Sequence, residues 1–272
     1  IASGVTNFAG DWVLIQLLGL PGAAWATVAG YCVGGIIPLV FFITHRSGLH
    51  LTGTKLYIRE FWQACGNGAS ELMSNISSSL VGILYNLELM RLVGERGVAA
   101  HSVMMYVDFV FIAAFLGFSI GSAPIISYHF GAGNRGELQN LLRKSILLMG
   151  VGGLAMVGVA QGLAGPMARL FVGYDDTLCR MTVHAFRIAT LSFVLVGFNI
   201  FVSSFFTALN DGVVSAIISF LRTFVFKLSA VLLLPLIWEL DGIWWAEVAA
   251  EICAFGLGLA FLLGKRKKYG YM

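Results

Sequence analysis

The chain has 272 residues, of which 58% are hydrophobic and only 11% charged, and its mean hydropathy is +0.86. Soluble domains carry about 45–50% apolar and about 25% charged residues, so a water-solvated globule is excluded and a lipid bilayer is the solvent these side chains require. The formal net charge of +3 comes with no basic stripe and no aromatics interleaved with Lys and Arg, which excludes a nucleic-acid partner.

At about 20 residues per crossing, the length allows roughly eight or nine spans. Apolar runs and their breakers place them in order. Residues 1–18 read as a partial span that stops at Gly19-Leu20-Pro21-Gly22, and residues 23–44 as the next. The chain opens at Ile1 inside an apolar stretch, with no initiator Met and no basic leader, so it reads as an N-terminally incomplete fragment cut through a helix. A polar stretch over 45–60 follows, then spans over 61–93, 98–128, 142–163, 181–209, 213–237 and 243–263. The expectation is an all-α membrane protein with one partial and seven full spans. Basic residues set its orientation. Arg46, Lys55, Arg59, Arg135, Arg143, Lys144 and the tail Lys265-Arg266-Lys267-Lys268 fall on one side, and Arg91, Arg96, Arg169 and Arg180 on the other. The richer side, with the C-terminus, is expected to be cytoplasmic, in a multi-pass plasma-membrane protein. Loop Asn210-Asp211-Gly212 belongs to that side yet has no basic residue. Cys32, Cys65, Cys179 and Cys253 are far apart, without CxxC or Cys/His metal spacing, and read as free thiols.

The sequence repeats itself. Leu20, Gly22, Trp25, Ala26, Val28 and Ala29 recur as Leu240, Gly242, Trp245, Ala246, Val248 and Ala249, an offset of 220 residues, each copy at a short turn leading into a helix. Six helices fit in that period. An even number preserves orientation, so the halves are parallel repeats about an axis along the membrane normal. Residues 1–44 then close a first lobe, 45–60 form a cytoplasmic inter-lobe loop, 61–264 make a complete six-helix second lobe, and 265–272 are a basic tail. The period places about 160 residues of missing N-terminal helices ahead of Ile1.

Ionisable groups at bilayer depth are costly and mark function. Glu71 lies about eleven residues into its span, roughly 15 Å deep. Asn67, Ser74, Asn75, Ser78, Gly82, Tyr85 and Asn86 share its face at 100° per residue. Such a stripe is either helix–helix glue or the wall of a water-lined cavity, and the carboxylate favours the cavity. Asp108 lies at similar depth in the next span, on a face with His101, Met104, Met105, Ile112, Phe115 and Ser119. Met and aromatic side chains adapt to many ligand shapes. Arg222, on a face with Ser215, Ser219, Phe226 and Ser229, is either a residue of the binding site or a structural ion pair with one of the two acids, with Lys227 a second cation in this region or a residue that snorkels. Ser192, Asn199 and Ser203 give the preceding helix a polar face without an acid. Glu247 and Glu251 open the last span and read as near-interface residues. Glu71, Asp108 and Arg222 are expected to meet at one level.

No HExxH, GxSxG or Walker A lysine loop is present, so enzyme chemistry has no signature, no cofactor is expected, and transport energy would come from a gradient. Several segments together resemble the multidrug and toxic compound extrusion (MATE) family, close to its MepA-like bacterial branch. They are Asn7-Phe-Ala-Gly-Asp11, Gly22-Ala-Ala-Trp-Ala-Thr27, Gly66-Asn-Gly-Ala-Ser-Glu-Leu72, Gly94-Glu-Arg-Gly-Val-Ala-Ala100, Pro124-Ile-Ile-Ser-Tyr-His-Phe-Gly-Ala-Gly-Asn134 and Ser203-Ser-Phe-Phe-Thr-Ala-Leu-Asn210. The resemblance implies twelve helices in two six-helix lobes around a central cavity. It also implies antiport, in which Na⁺ or H⁺ enters while a bulky, amphipathic and often cationic drug leaves. It makes Glu71, with Asp108, the place for the coupling ion, including a possible Na⁺. Relatives also use an Asp in the fourth helix of that lobe. Residues 181–209 contain none, which leaves Asp108 to take its place. A lipid or lipid-linked-sugar flippase would share the architecture and need a long basic cavity; a membrane-embedded enzyme would need a clustered nucleophile or metal set.

Overall fold

The computed structural model describes residues 1–44, 55 and 57–271. Most of the polar stretch expected over 45–60 and the side chain of Asn67 lie outside the described residues. The chain separates into two compact units, Ile1–Tyr57 and Ile58–Met272.

In the first unit, α1 (Ala2–Leu18) and α2 (Leu20–Thr44) pack as a hairpin. The buried face of α2 is Gly22, Ala26 and Gly30, a four-residue repeat of small side chains that lets two backbones approach closely. A Cβ added to Gly10 would stand 2.9 Å from that of Ala26. Asn7 Nδ2 donates to Thr27 Oγ1 at 3.3 Å across the pair.

The second unit is a bundle of α3 (Ile58–Val93), α4 (Glu95–Gly131), α5 (Arg135–Val172), α6 (Asp176–Ala189), α7 (Phe193–Ala208), α8 (Gly212–Phe220), α9 (Lys227–Leu233) and α10 (Pro235–Tyr269). A 3-10 turn, Thr190–Ser192, joins α6 to α7 as one crossing, and a π-helical turn, Leu221–Phe226, joins α8 to α9. Among the described residues, seven helices are long and apolar enough to cross a membrane. The 17-residue α1 is the short eighth. This is the membrane fold that the apolar runs predict. Several helices outrun their apolar segments. The α5 helix starts at Arg135 rather than near 142 because the Asn134 side chain accepts from the Glu137 amide at 3.2 Å, satisfying a backbone donor that the first turn leaves free.

The window within Asp176–Ala208 is 67% buried, against 39% or less for every other crossing. That makes α6–α7 the centre of the unit, with α4, α5, α8 and α10 packed around α7. Gly197 is required there: a Cβ on it would stand 2.6 Å from the ring of the buried Phe115.

Polar contacts sort the loops by end. At one end Arg96 pairs with Asp175 at 3.2 Å and His184 with Asp241 at 2.9 Å. At the other, the Tyr269 hydroxyl donates to Asp211 and Lys268 stands 3.8 Å from it. The loop that lacked a basic residue of its own therefore borrows one from the C-terminal helix.

The repeated segments adopt the same turn. Gly19 (φ 66°, ψ −142°) and Glu239 (φ 48°, ψ −125°), 220 residues apart, share an unusual left-handed backbone. A Cβ on Gly22 would collide with the Leu14 carbonyl oxygen at 2.1 Å, and one on Gly242 with that of Leu234 at 2.4 Å. Ala26 and Ala246 are both fully buried. The non-glycine at 239 carries backbone strain that glycine avoids. Glu239→Gly should stabilise the protein by about 1 kcal/mol, and Gly242→Val should destabilise it by about 1–3 kcal/mol. Thermal unfolding in detergent checks both signs.

Asp175 caps α6, its Oδ1 accepting from the Leu178 amide at 3.1 Å and the Thr177 amide at 2.9 Å. The Leu178 amide first, then the Thr177 amide and the Arg96 and Arg180 guanidinium groups, hold its carboxyl below the ordinary range. A depressed folded pKa means that this stabilisation is present above the unfolded value of about 3.9 and is lost as pH falls through the folded one. Melting temperatures between neutral pH and pH about 3 should therefore fall more steeply for the wild type than for Asp175→Asn.

Candidate functional site

The polar interior of the second unit begins at the turn between α9 and α10. Lys227 and Glu247 each stand ten residues from Ile237. In an antiparallel helical hairpin, residues equidistant from the turn lie at one depth. Lys227 Nζ bonds Glu247 Oε1 at 2.5 Å. A turn deeper, Arg222 meets Glu251: Arg222 Nε donates to both carboxylate oxygens at 3.0 and 3.1 Å, and an NH2 contact of 2.9 Å completes the fork. Lys227 also stands 3.8 Å from Glu251. From α7, Asn199 Nδ2 donates to Glu251 Oε2 at 2.7 Å and to the Glu251 carbonyl at 3.0 Å. The Glu251 side chain is 0% exposed, so it is a carboxylate buried among the helices, which its place near the start of the last span did not foretell. The π-helical turn carries Arg222; such bulges are frequent at functional sites.

Below this cluster, Ser203 Oγ shares hydrogen bonds with Ser215 at 2.9 Å and Ser219 at 2.8 Å, and Thr207 donates to Ser215 at 2.7 Å. These hydroxyls hold α7 to α8 as interhelical glue.

A cavity of about 320 Å³ opens beside the ion pairs, with walls from α3, α4, α6, α10 and the π-helical turn through α9. Its polar lining includes Asp108, Lys227 and Glu247. Asp108 makes no ion pair or hydrogen bond among the described residues. Trp244 and His101 line the same space, and the buried Trp244 Nε1 and His101 Nδ1 have no hydrogen-bond partner among the described residues. His101 stacks on Tyr85 with centroids 4.8 Å apart, and Met104, Met105 and Phe109 supply an apolar wall. The site thus offers an aromatic shelf, a flexible apolar face, an unpaired carboxylate and an unpaired N–H donor.

Of the residues singled out in the sequence, Asp108, Tyr85 and Met105 line this cavity. Arg222 and Asn199 lie behind it, bound to Glu251. Glu71, Asn75 and Asn86 are exposed and lie off it; Asn75 Nδ2 instead donates to the Glu71 carbonyl at 2.9 Å. The expected meeting of Glu71, Asp108 and Arg222 does not occur. Counted from the α3–α4 turn, Asp108 is about 21 Å along its helix and Glu71 about 34 Å along its own. Eleven residues from opposite ends of helices of 36 and 37 residues do not reach one level, because such helices exceed the hydrocarbon core of about 30 Å. Nor does a group of three or more His, Cys, Asp or Glu that could hold a metal ion occur among the described residues, and Glu71 and Asp108 are too far apart to share one Na⁺.

The MatE family profile matches residues 71–232, more than half of the chain. The chain belongs to the MatE family. This is a family of membrane transporters and not of enzymes. Solved MATE structures share the fold. An outward-facing multidrug resistance MATE transporter of the MOP superfamily superposes with TM-score 0.90 at 21% identity, over 100% of this chain and 62% of that one. The Vibrio cholerae MATE transporter VcmN in its bent form gives 0.82 at 24%, over 100% and 62%. A MOP superfamily transporter from Pyrococcus furiosus, described as having a binding pocket of reverse polarity, gives 0.86 at 22%, over 98% and 60%. The chain thus spans about 62% of the length of the MATE proteins it matches. No curated protein sequence matches it.

In this MatE protein the Arg222–Glu251–Asn199 junction ties the π-helical turn, α10 and α7 together. Arg222→Met should cost about 3–5 kcal/mol, because it strips a buried carboxylate of its bidentate partner and leaves only Lys227, 3.8 Å away, as a cation. Arg222→Met with Glu251→Met should cost much less. Thermal unfolding of the purified variants, compared as a double-mutant cycle, checks this.

Proposed function

We propose that this chain is part of a cation-coupled antiporter that exports drugs or other xenobiotics by alternating access. The observation that carries the reading is Asp108, a carboxylate without a partner on a cavity that also presents aromatic and methionine surface. A cationic, amphipathic molecule satisfies that carboxylate and covers the apolar wall. A coupling H⁺ or Na⁺ satisfies the same carboxylate when the drug leaves. Because one acid cannot serve both at full strength, binding of either ligand excludes the other, and each biases a different facing state. Exposed Glu71, on α3 below the cavity, serves in this scheme as a second acid on the ion's route.

The same reading takes residues 61–264 as the second lobe and 1–44 as the end of the first. It puts the protein in the plasma membrane with the C-terminus in the cytoplasm, close to the MepA-like branch of the family. A flippase for lipid-linked sugars would call for a basic cavity, and two carboxylates to one lysine here favour an organic cation.

The test is transport by the full-length protein. Asp108→Asn should remove drug resistance and lower binding of a cationic dye at least tenfold while membrane expression stays intact. Glu71→Gln should lower ion-driven export but leave dye binding in place. Undiminished export and binding in Asp108→Asn would refute the assignment.

A further inference from the structure

Resting on the cavity's role as the ligand site, we infer that Lys227 is a tethered counter-ion that sets the valence of the ligand at one positive charge. Among the described residues, the charges on the lining are Asp108, Glu247 and Lys227. Lys227 and Glu247 cancel each other at 2.5 Å. Arg222 and Glu251 cancel behind the wall at 2.9 Å and do not line the space. His101 counts as neutral, because an imidazolium there would bury an N–H without an acceptor at Nδ1. Exposed Glu71 lies off the lining. With Asp108 in its ionised form, one negative charge is left over there.

A monocation brings the cavity to neutrality. A dication of the same size leaves one positive charge uncompensated in a low-dielectric space, where an unpaired charge is costly. The geometry also shows why a lysine performs this task. Its stem runs from the turn after the π-helical segment, and its Nζ reaches Glu247 while standing 3.8 Å from Glu251. It is therefore placed between the buried Arg222–Glu251 pair and the open side of the cavity. The Trp244 Nε1 donor adds a second requirement that does not depend on charge: an acceptor on the ligand or a bridging water at that point.

Side-chain replacement changes the charge of this lining one unit at a time. Lys227→Met raises the uncompensated charge to two. Lys227→Met combined with Glu247→Gln removes the pair and returns it to one. Glu247→Gln alone frees Lys227 to neutralise Asp108 and brings it to zero.

Two near-isosteric probes report the count: N-methyl-phenylpyridinium, a monocation, and methyl viologen, a dication. Their dissociation constants are measured on the purified full-length protein in nanodiscs. The wild type should prefer the monocation. Lys227→Met should shift the ratio of the two constants toward the dication by on the order of tenfold or more. The double variant should restore the wild-type ratio, and Glu247→Gln should weaken both probes. Should Lys227→Met fail to fold, the double variant and Glu247→Gln still decide. A double variant with an altered ratio, or Glu247→Gln binding the monocation as the wild type does, overturns the inference. So does Lys227→Met with an unchanged ratio. If instead neither probe binds, or both bind equally well to Asp108→Asn, the cavity is not the ligand site, and the underlying reading fails together with the valence argument.

Discussion

The second unit depends on one buried carboxylate. Glu251 sits in the interior of a bilayer-sized bundle with no exposed surface, where a lone charge would cost several kcal/mol even after relaxation. Arg222 Nε donates to both of its oxygens, with Arg222 Nη2 at 2.9 Å beside them, and Asn199 donates to one oxygen and to the Glu251 backbone carbonyl. Each partner comes from a different helix, so satisfying the charge fixes the relative placement of α7, α10 and the π-helical turn. The π-helical geometry of Leu221–Phe226 accompanies this junction. An extra residue per turn rotates the side chains that follow, and Lys227 then emerges toward Glu247 and the cavity.

The cavity is shaped by that constraint. With Glu251 neutralised by Arg222 and Glu247 by Lys227, the acid that faces open space is Asp108. A site whose charges were all paired would offer a ligand only apolar surface and a few dipoles. A site with all three acids free would bind metal ions or polycations. Two ion pairs plus one spare carboxylate lie between these limits. The aromatic shelf of Tyr85 and His101 adds ring-stacking surface, and Met104 and Met105 add surface that can repack around different shapes.

Elsewhere the fold relies on small residues. The central α7 is approached closely where side chains are small: Phe115 fills the notch at Gly197, and Gly153 lies against the backbone at Phe193, where a Cβ would stand 2.5 Å from the carbonyl oxygen. Helices in lipid gain no hydrophobic free energy by meeting each other, so close van der Waals approach and interhelical hydrogen bonds carry the association. The hydroxyl cluster of Ser203, Thr207, Ser215 and Ser219 belongs to the second kind.

What the sequence determined by itself is what the bilayer dictates locally. Length and apolarity are properties of a segment, so the crossings, their number and the turn at Gly19 and Gly22 were legible, and the copy at Glu239 and Gly242 followed from the repeat. The side chains of Asp108, Tyr85 and Met105 were placed on one site because helical periodicity fixes which face a residue occupies. Depth was a different matter. Helices of 36 and 37 residues are longer than the hydrocarbon core of about 30 Å, so counting from their opposite ends put Glu71 beside Asp108. Counting from the hairpin turns would have paired Lys227 with Glu247 and Arg222 with Glu251, a signal present in the spacing. Only the tertiary structure decided which acid each cation would take. That choice is made by charge neutrality in a low-dielectric interior summed over three helices, and no single segment of sequence contains it.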